Sequence, residues 1–151
     1  MASSELKGPP LGMFHLLMHI GHLLEEHCRS GLAEFGLHHG QARVLMALER
    51  EGELIQARLA GGLGIAPPTL SIMLKKLLEQ GLVKRAADAA DVRAYRISLT
   101  PKGRQAVKRV QEVWGQAYET IIESLDGDNK EFVRSRLLKI RNALGGTSPE
   151  L

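Results

Sequence analysis

The chain has 151 residues, 44% of them hydrophobic, which is enough for one well-buried elongated domain and too few for two independent cores. Its 20 Lys and Arg exceed its 17 Asp and Glu, and the net charge of +3 leans toward polyanionic partners; one Trp, two Tyr and three Phe are too few to stack RNA or single-stranded bases on an aromatic platform. The lone Cys28 closes no intramolecular disulfide, no basic leader with an apolar core opens the chain, and polar residues interrupt every apolar run short of a membrane span, so a cytoplasmic protein with no membrane partner is expected.

After a polar tail ending in Gly8-Pro9-Pro10, the residues Leu11, Phe14, Leu17, Met18, Leu24 and Leu32 recur at helical spacing and predict a long first helix ending near Gly36. A second helix runs through Gln41–Leu48 to about Gly52, with His38 or His39 at its start. A short third helix turns Leu59, Ala60 and Leu63 inward; Gly64 permits the turn that ends it, and Ile65 fills the corner before the next helix. That helix opens with Pro67-Pro68, where missing backbone N–H groups cost nothing, and buries Leu70, Met73, Leu74 and Leu77 before Gly81. Leu82–Arg85 and Tyr95–Leu99 alternate apolar and polar residues as short strands do, and the charged loop between them makes a two-stranded hairpin. Thr100-Pro101 then starts a fifth helix of roughly 25 residues, carried by Val107, Val110, Trp114, Ala117, Ile121 and Leu125. A break at Asp126-Gly127-Asp128 precedes a last helix in which Asp128 and Glu131 suit a capping box and Phe132, Val133, Leu137, Ile140 and Leu144 share a face.

Helix, tight turn, helix and basic hairpin is the arrangement that lays one helix in the major groove of double-stranded DNA. With its leucines turned inward, the Pro67 helix must present Thr69, Ile72, Lys75 and Lys76 outward, flanked by Pro68 and Ser71. Hydroxyls can bond base edges or phosphates, lysines can pair with phosphate or guanine, and an isoleucine can meet a thymine methyl. The hairpin adds Lys84, Arg85, Arg93 and Arg96, with Asp88 and Asp91 close enough to hold an arginine for the minor groove. Read blandly, both features are solvated surfaces with self-paired charges.

The series Leu59-Ala60, Pro68-Thr69-Leu70-Ser71, Gly81-Leu82-Val83-Lys84-Arg85, Asp88-x-x-Asp91-x-Arg93 and Ile97-Ser98-Leu99-Thr100-x-x-Gly103 resembles the MarR family of transcriptional regulators in order and spacing. The resemblance covers about residues 10–145. It implies a mainly α, α+β winged helix-turn-helix fold forming a single domain over 1–151. Residues 38–100 would be the DNA-binding region, with the recognition helix at about 67–80 and the wing at about 82–99, while 10–36 and 101–145 would form dimerisation helices. It implies a homodimer on a pseudopalindromic operator, most often as a repressor. It also implies that Arg93 is the minor-groove arginine, with Asp91 as its salt-bridge partner. Three positions depart from the family pattern: Ile72 stands where arginine is common, Leu78 where glutamate is common, and Ala66 where a Ser or Asn cap is commoner.

Two recognition helices roughly sum their binding free energies, so dimerisation is functionally required. Leu11, Phe14, Trp114, Tyr118, Ile121, Ile122, Leu125, Phe132, Leu137 and Ile140 are the candidate dimer residues, with ordinary intrachain core as the alternative. His15, His19 and His22 share one face of the first helix with Cys28 nearby, a pattern compatible with metal or oxidant sensing, yet no Asp, Glu or Cys completes a tetrahedral set. No metal site and no cofactor are therefore expected. The family resemblance implies a small phenolic or aromatic carboxylate effector, for which Arg43 or a histidine is the candidate partner. The competing reading is a winged helix used for protein contacts through Ile72 and Leu78. An enzyme is not expected, because no phosphate loop, serine-nucleophile elbow or HExxH motif is present, and Gly61-Gly62-Leu63-Gly64 has no following Lys-Ser.

Overall fold

A computed structural model describes residues 12–125 and 129–147. The elements are α1 (Gly12–Gly31), a 3-10 turn (Ala33–Phe35), α2 (His39–Glu51), β1 (Leu54–Ile55), α3 (Gln56–Leu63), α4 (Pro67–Glu79), β2 (Val83–Ala87), β3 (Tyr95–Leu99), α5 (Pro101–Glu123) and α6 (Lys130–Ala143). The candidate dimer residue Leu11 and the expected capping residue Asp128 lie outside the described residues. At the start of α6 Asn129 makes no side-chain cap bond. This is a winged helix: mostly helical, with one small antiparallel sheet in the order β1-β3-β2.

Two boundaries differ from expectation for identifiable reasons. The first helix stops at Gly31 instead of Gly36. There the Arg109 Nε on α5 donates to the Gly31 carbonyl (3.0 Å), and a Cβ on Gly31 would lie 2.7 Å from a Val113 methyl, so this close crossing fixes the helix end. The hairpin of β2 and β3 forms as expected, but the sheet has a third strand, because Leu54 and Ile55 pair with Ile97 and Arg96 along the free edge of β3. A two-residue strand carries too little alternation to be read from sequence; its partner creates it.

The core is one cluster built from α2, α3, α4, the sheet and the first half of α5, with Leu45, Leu48, Leu59, Leu70, Leu77 and Ile97 fully enclosed. The turn between α3 and α4 works as the sequence suggests: Gly64 takes the left-handed conformation (φ 64°), which glycine adopts without a Cβ penalty. The junction between the hairpin and α5 explains the Ile-Ser-Leu-Thr-x-x-Gly run. Thr100 Oγ1 accepts from the Gly103 N–H (3.0 Å) and donates to the Gly81 carbonyl (2.6 Å), capping α5 and tying it to the end of α4. Gly103 is needed because a Cβ there would sit 2.0 Å from the Leu82 carbonyl oxygen.

Outside this core the picture changes. Cys28 is the one buried residue of α1, and none of the α6 residues is buried. Met13, Phe14, Leu16, Met18, Ile20 and Leu23 on α1 are exposed, as are Phe132, Leu137 and Ile140 on α6 and Leu144 just after it. No helix is long and apolar enough to cross a membrane among the described residues.

Candidate nucleic-acid interface

The inward leucines of α4 fix what it presents outward. Leu70, Leu74 and Leu77 are buried, so Pro68, Thr69, Ile72, Lys75 and Lys76 are exposed together. Ser71 is exposed as well, but its hydroxyl is engaged within the protein: it donates to the Pro67 carbonyl (3.0 Å) and accepts from Gln56 Nε2 (3.1 Å). Ser71 thereby fastens α3 to α4 with the hydroxyl that was expected to meet DNA. Leu78 packs against the core, so Ile72 and Leu78 do not form the apolar docking patch that a protein-binding reading requires.

In the hairpin the two aspartates have different jobs. Asp88 is buried at the base of the loop, where its Oδ1 accepts from Arg96 Nε and its Oδ2 from the Asp91 N–H (3.2 Å). The Arg96 guanidinium bonded to it holds the Asp88 carboxyl below the usual carboxylate range. Arg96 Nη1 also reaches Glu53 (3.3 Å), so its guanidinium braces the wing against the residue before β1. Asp91 Oδ1 accepts from the Arg93 backbone N–H (2.9 Å), which shapes the turn without touching the guanidinium. The wing salt bridge is therefore Asp88–Arg96, and the expected Asp91–Arg93 ion pair is absent among the described residues. Arg93 stands exposed, its side chain in no ion pair there. Lys84 is exposed, and Arg85 lies over the Tyr95 ring at 4.2 Å, a cation–π contact that holds the guanidinium on the outer edge of the sheet.

A cavity of about 600 Å³ opens between α1, the start of α2 and α5. Leu24, Glu25, Cys28, His39, Trp114 and Tyr118 are among the residues lining it. His39 packs on Trp114 (ring centroids 5.4 Å apart), and burial, then the positive charge of Arg43, pushes its imidazole below the ordinary value, so the ring is neutral at pH 7. Trp114 Nε1 is buried without a hydrogen-bond partner. Trp114 also packs on the intrachain core and so forms one wall of the cavity. Burial pushes the Cys28 thiol up, away from the thiolate that oxidant sensing needs. His15, His19 and His22 are exposed on α1 and none lines the cavity. Arg43 donates to the Leu63 carbonyl (2.9 Å) and faces a different depression, so neither Arg43 nor these three histidines is brought to this cavity. No group of three or more His, Cys, Asp or Glu suited to a metal ion forms among the described residues. Glu25 and His39 were missed by sequence reasoning, because contacts between α1, α2 and α5 leave no local signal.

A profile of the MarR family matches residues 35–94. The chain is similar to the HTH-type transcriptional repressor Rv2887 of Mycobacterium tuberculosis, with 29% identity over 126 residues that span 83% of this chain and 89% of that one. Among solved structures it resembles S. aureus MepR in complex with DNA, at a TM-score of 0.77 and 26% identity over 86% of this chain and 96% of that one. It likewise resembles the transcriptional repressor CouR bound to a 23-mer DNA duplex, at a TM-score of 0.77 and 28% identity over 91% and 99% of the two chains.

Proposed function

We propose that the chain is a MarR-like winged helix-turn-helix regulator that represses transcription as a symmetric dimer on a pseudopalindromic operator until a small aromatic ligand releases it. That it is a DNA-binding regulator and not an enzyme is the common character of its relatives. The observation that carries the operator reading is how the charges divide. Arg96, Asp88 and Glu53 are paired with one another, while Lys75, Lys76, Lys84, Arg85 and Arg93 remain exposed beside Thr69 and Ile72, in no ion pair among the described residues. Such a surface offers phosphate contacts from its cations and base contacts from the outward face of α4.

Dimerisation is supported by α6. A helix of 14 residues that buries nothing is marginal in water on its own, and its exposed Phe132, Leu137 and Ile140 match the exposed apolar residues of α1. The effector reading is supported by the cavity, whose volume falls in the range typical of small-molecule sites. Its described lining includes a carboxylate, Glu25, and no lysine or arginine. A neutral phenol therefore suits it better than an aromatic carboxylate does.

Selection from a random duplex library tests the reading. An inverted repeat is expected to emerge, with affinity falling steeply as salt rises; absence of any sequence preference would refute it. Trp114, the single tryptophan, gives the effector test. Its fluorescence is expected to change with phenols that release the operator and not with benzoate, and a response to benzoate alone would reverse the ligand assignment.

A further inference from the structure

The outward face of α4 is short of the side chains that usually read bases. Arg, Asn and Gln, whose paired polar atoms recognise guanine or adenine bidentately, do not occur anywhere in Pro67–Glu79. The hydroxyl of Ser71 is bonded on both sides, to Pro67 and Gln56, and the same contact holds the Gln56 amide of α3. Thr69 and the two lysines remain, and in the middle of the face stands Ile72, 73% exposed. An isolated surface isoleucine is unremarkable on most helices. Here it occupies the centre of a face ringed by Thr69, Lys75 and Lys76, which suits a polyanion and not an apolar protein partner.

Resting on the operator binding proposed above, we infer that Ile72 selects thymine in each operator half-site by packing on the 5-methyl group. That methyl is the one apolar group any standard base edge presents in the major groove. A branched aliphatic side chain meeting it removes apolar surface from water on both partners, which rewards thymine over cytosine without a hydrogen bond. Lys75 and Lys76, one helical turn further along, then serve the phosphates or a guanine beside that thymine.

The test deletes the methyl and nothing else. In the selected operator, each thymine is replaced in turn by deoxyuridine, which keeps every hydrogen-bonding atom. One symmetric pair of positions is expected to weaken binding about fourfold per half-site, the size of one buried methylene-sized group, and roughly fifteenfold when both are changed. Ile72→Ala should bind the thymine operator more weakly and no longer distinguish deoxyuridine at that pair, whereas Ile72→Val should keep the discrimination. Wild-type indifference to deoxyuridine at every position would overturn the inference, and so would discrimination that persists undiminished in Ile72→Ala. If no duplex is selected at all, the proposed function falls and this inference falls with it; a selected operator read without methyl dependence sinks the inference alone.

Discussion

The reading head and the helical arms of this chain are built to different standards. From α2 to the first half of α5 the chain satisfies itself: leucines close the core, Thr100 caps α5 and ties it back to Gly81, and Asp88 with Arg96 braces the wing. In α1 and α6 the same chain leaves Met13, Phe14, Met18, Phe132 and Leu137 in water, and α6 buries nothing. The head closes its core within one chain, and the arms leave apolar surface uncovered. A dimer joined through the arms would present two finished heads at a separation set by α1, α5 and α6, with the cavity at the seam where a ligand could change that separation.

The largest effect should come from attacking the arms. Phe14→Glu combined with Leu137→Glu places two charges on exposed apolar positions, so each chain should keep its helical circular dichroism. Sedimentation should show a monomer, and operator affinity should drop by about 100-fold or more, because one head contributes only its own share of the binding free energy. A double variant that stays dimeric would place the interface elsewhere.

The next effect belongs to the head. Gly103→Ala forces a methyl against the Leu82 carbonyl oxygen at a backbone-to-backbone crossing where no flexible side chain can yield. Overpacking of this kind costs about 1–3 kcal/mol, and the thermal midpoint should drop by roughly 4 °C or more. Dimerisation at low temperature should be unaffected, which distinguishes this variant from the arm variant. An unchanged midpoint would mean that the start of α5 shifts freely.

Smaller still is Arg93→Ala. The guanidinium makes no ion pair among the described residues, so its removal should leave the melting temperature unchanged and weaken operator binding by about tenfold, with a shallower salt dependence. Loss of stability in this variant would show that the wing arginine supports the scaffold.

These residues also show what a sequence can carry. The α3–α4 turn, the outward face of α4 and the start of α5 were legible because each depends on neighbours within a few positions: Leu70, Leu74 and Leu77 fix the face, and Thr100 with Pro101 fixes the start. The wing was legible in outline and misread in detail. Asp88 and Asp91 are both near Arg93 and Arg96 in sequence, and the pairing is decided by which carboxylate the sheet register turns inward. The strand at Leu54–Ile55 and the cavity around Glu25, His39 and Trp114 were hidden because residues far apart in the chain create them.

The mildest test lies where head and arms meet. His38 precedes α2, and its Nδ1 accepts from the Gln41 N–H (3.3 Å) while the Gln41 side chain accepts from the His38 N–H (3.2 Å), a capping box with imidazole in place of a hydroxyl. A protonated imidazole has no lone pair to offer, so the cap exists only in the neutral ring. Burial, followed by the charge of Lys76, pushes the His38 pKa below its ordinary 6.5, so the unfolded chain takes up this proton more readily than the folded one. The stabilisation is accordingly complete above about pH 6.5 and declines as the pH falls through the depressed folded value. His38→Asn keeps an acceptor that does not titrate. Its melting temperature should match wild type at pH 7.5 and exceed it by about 2 °C at pH 5.5, given that a cap is worth on the order of 1 kcal/mol. Parallel melting curves for the two proteins over that range would show that the cap carries no pH dependence, and His39, lowered in the same direction at the cavity wall, would be the next histidine to substitute.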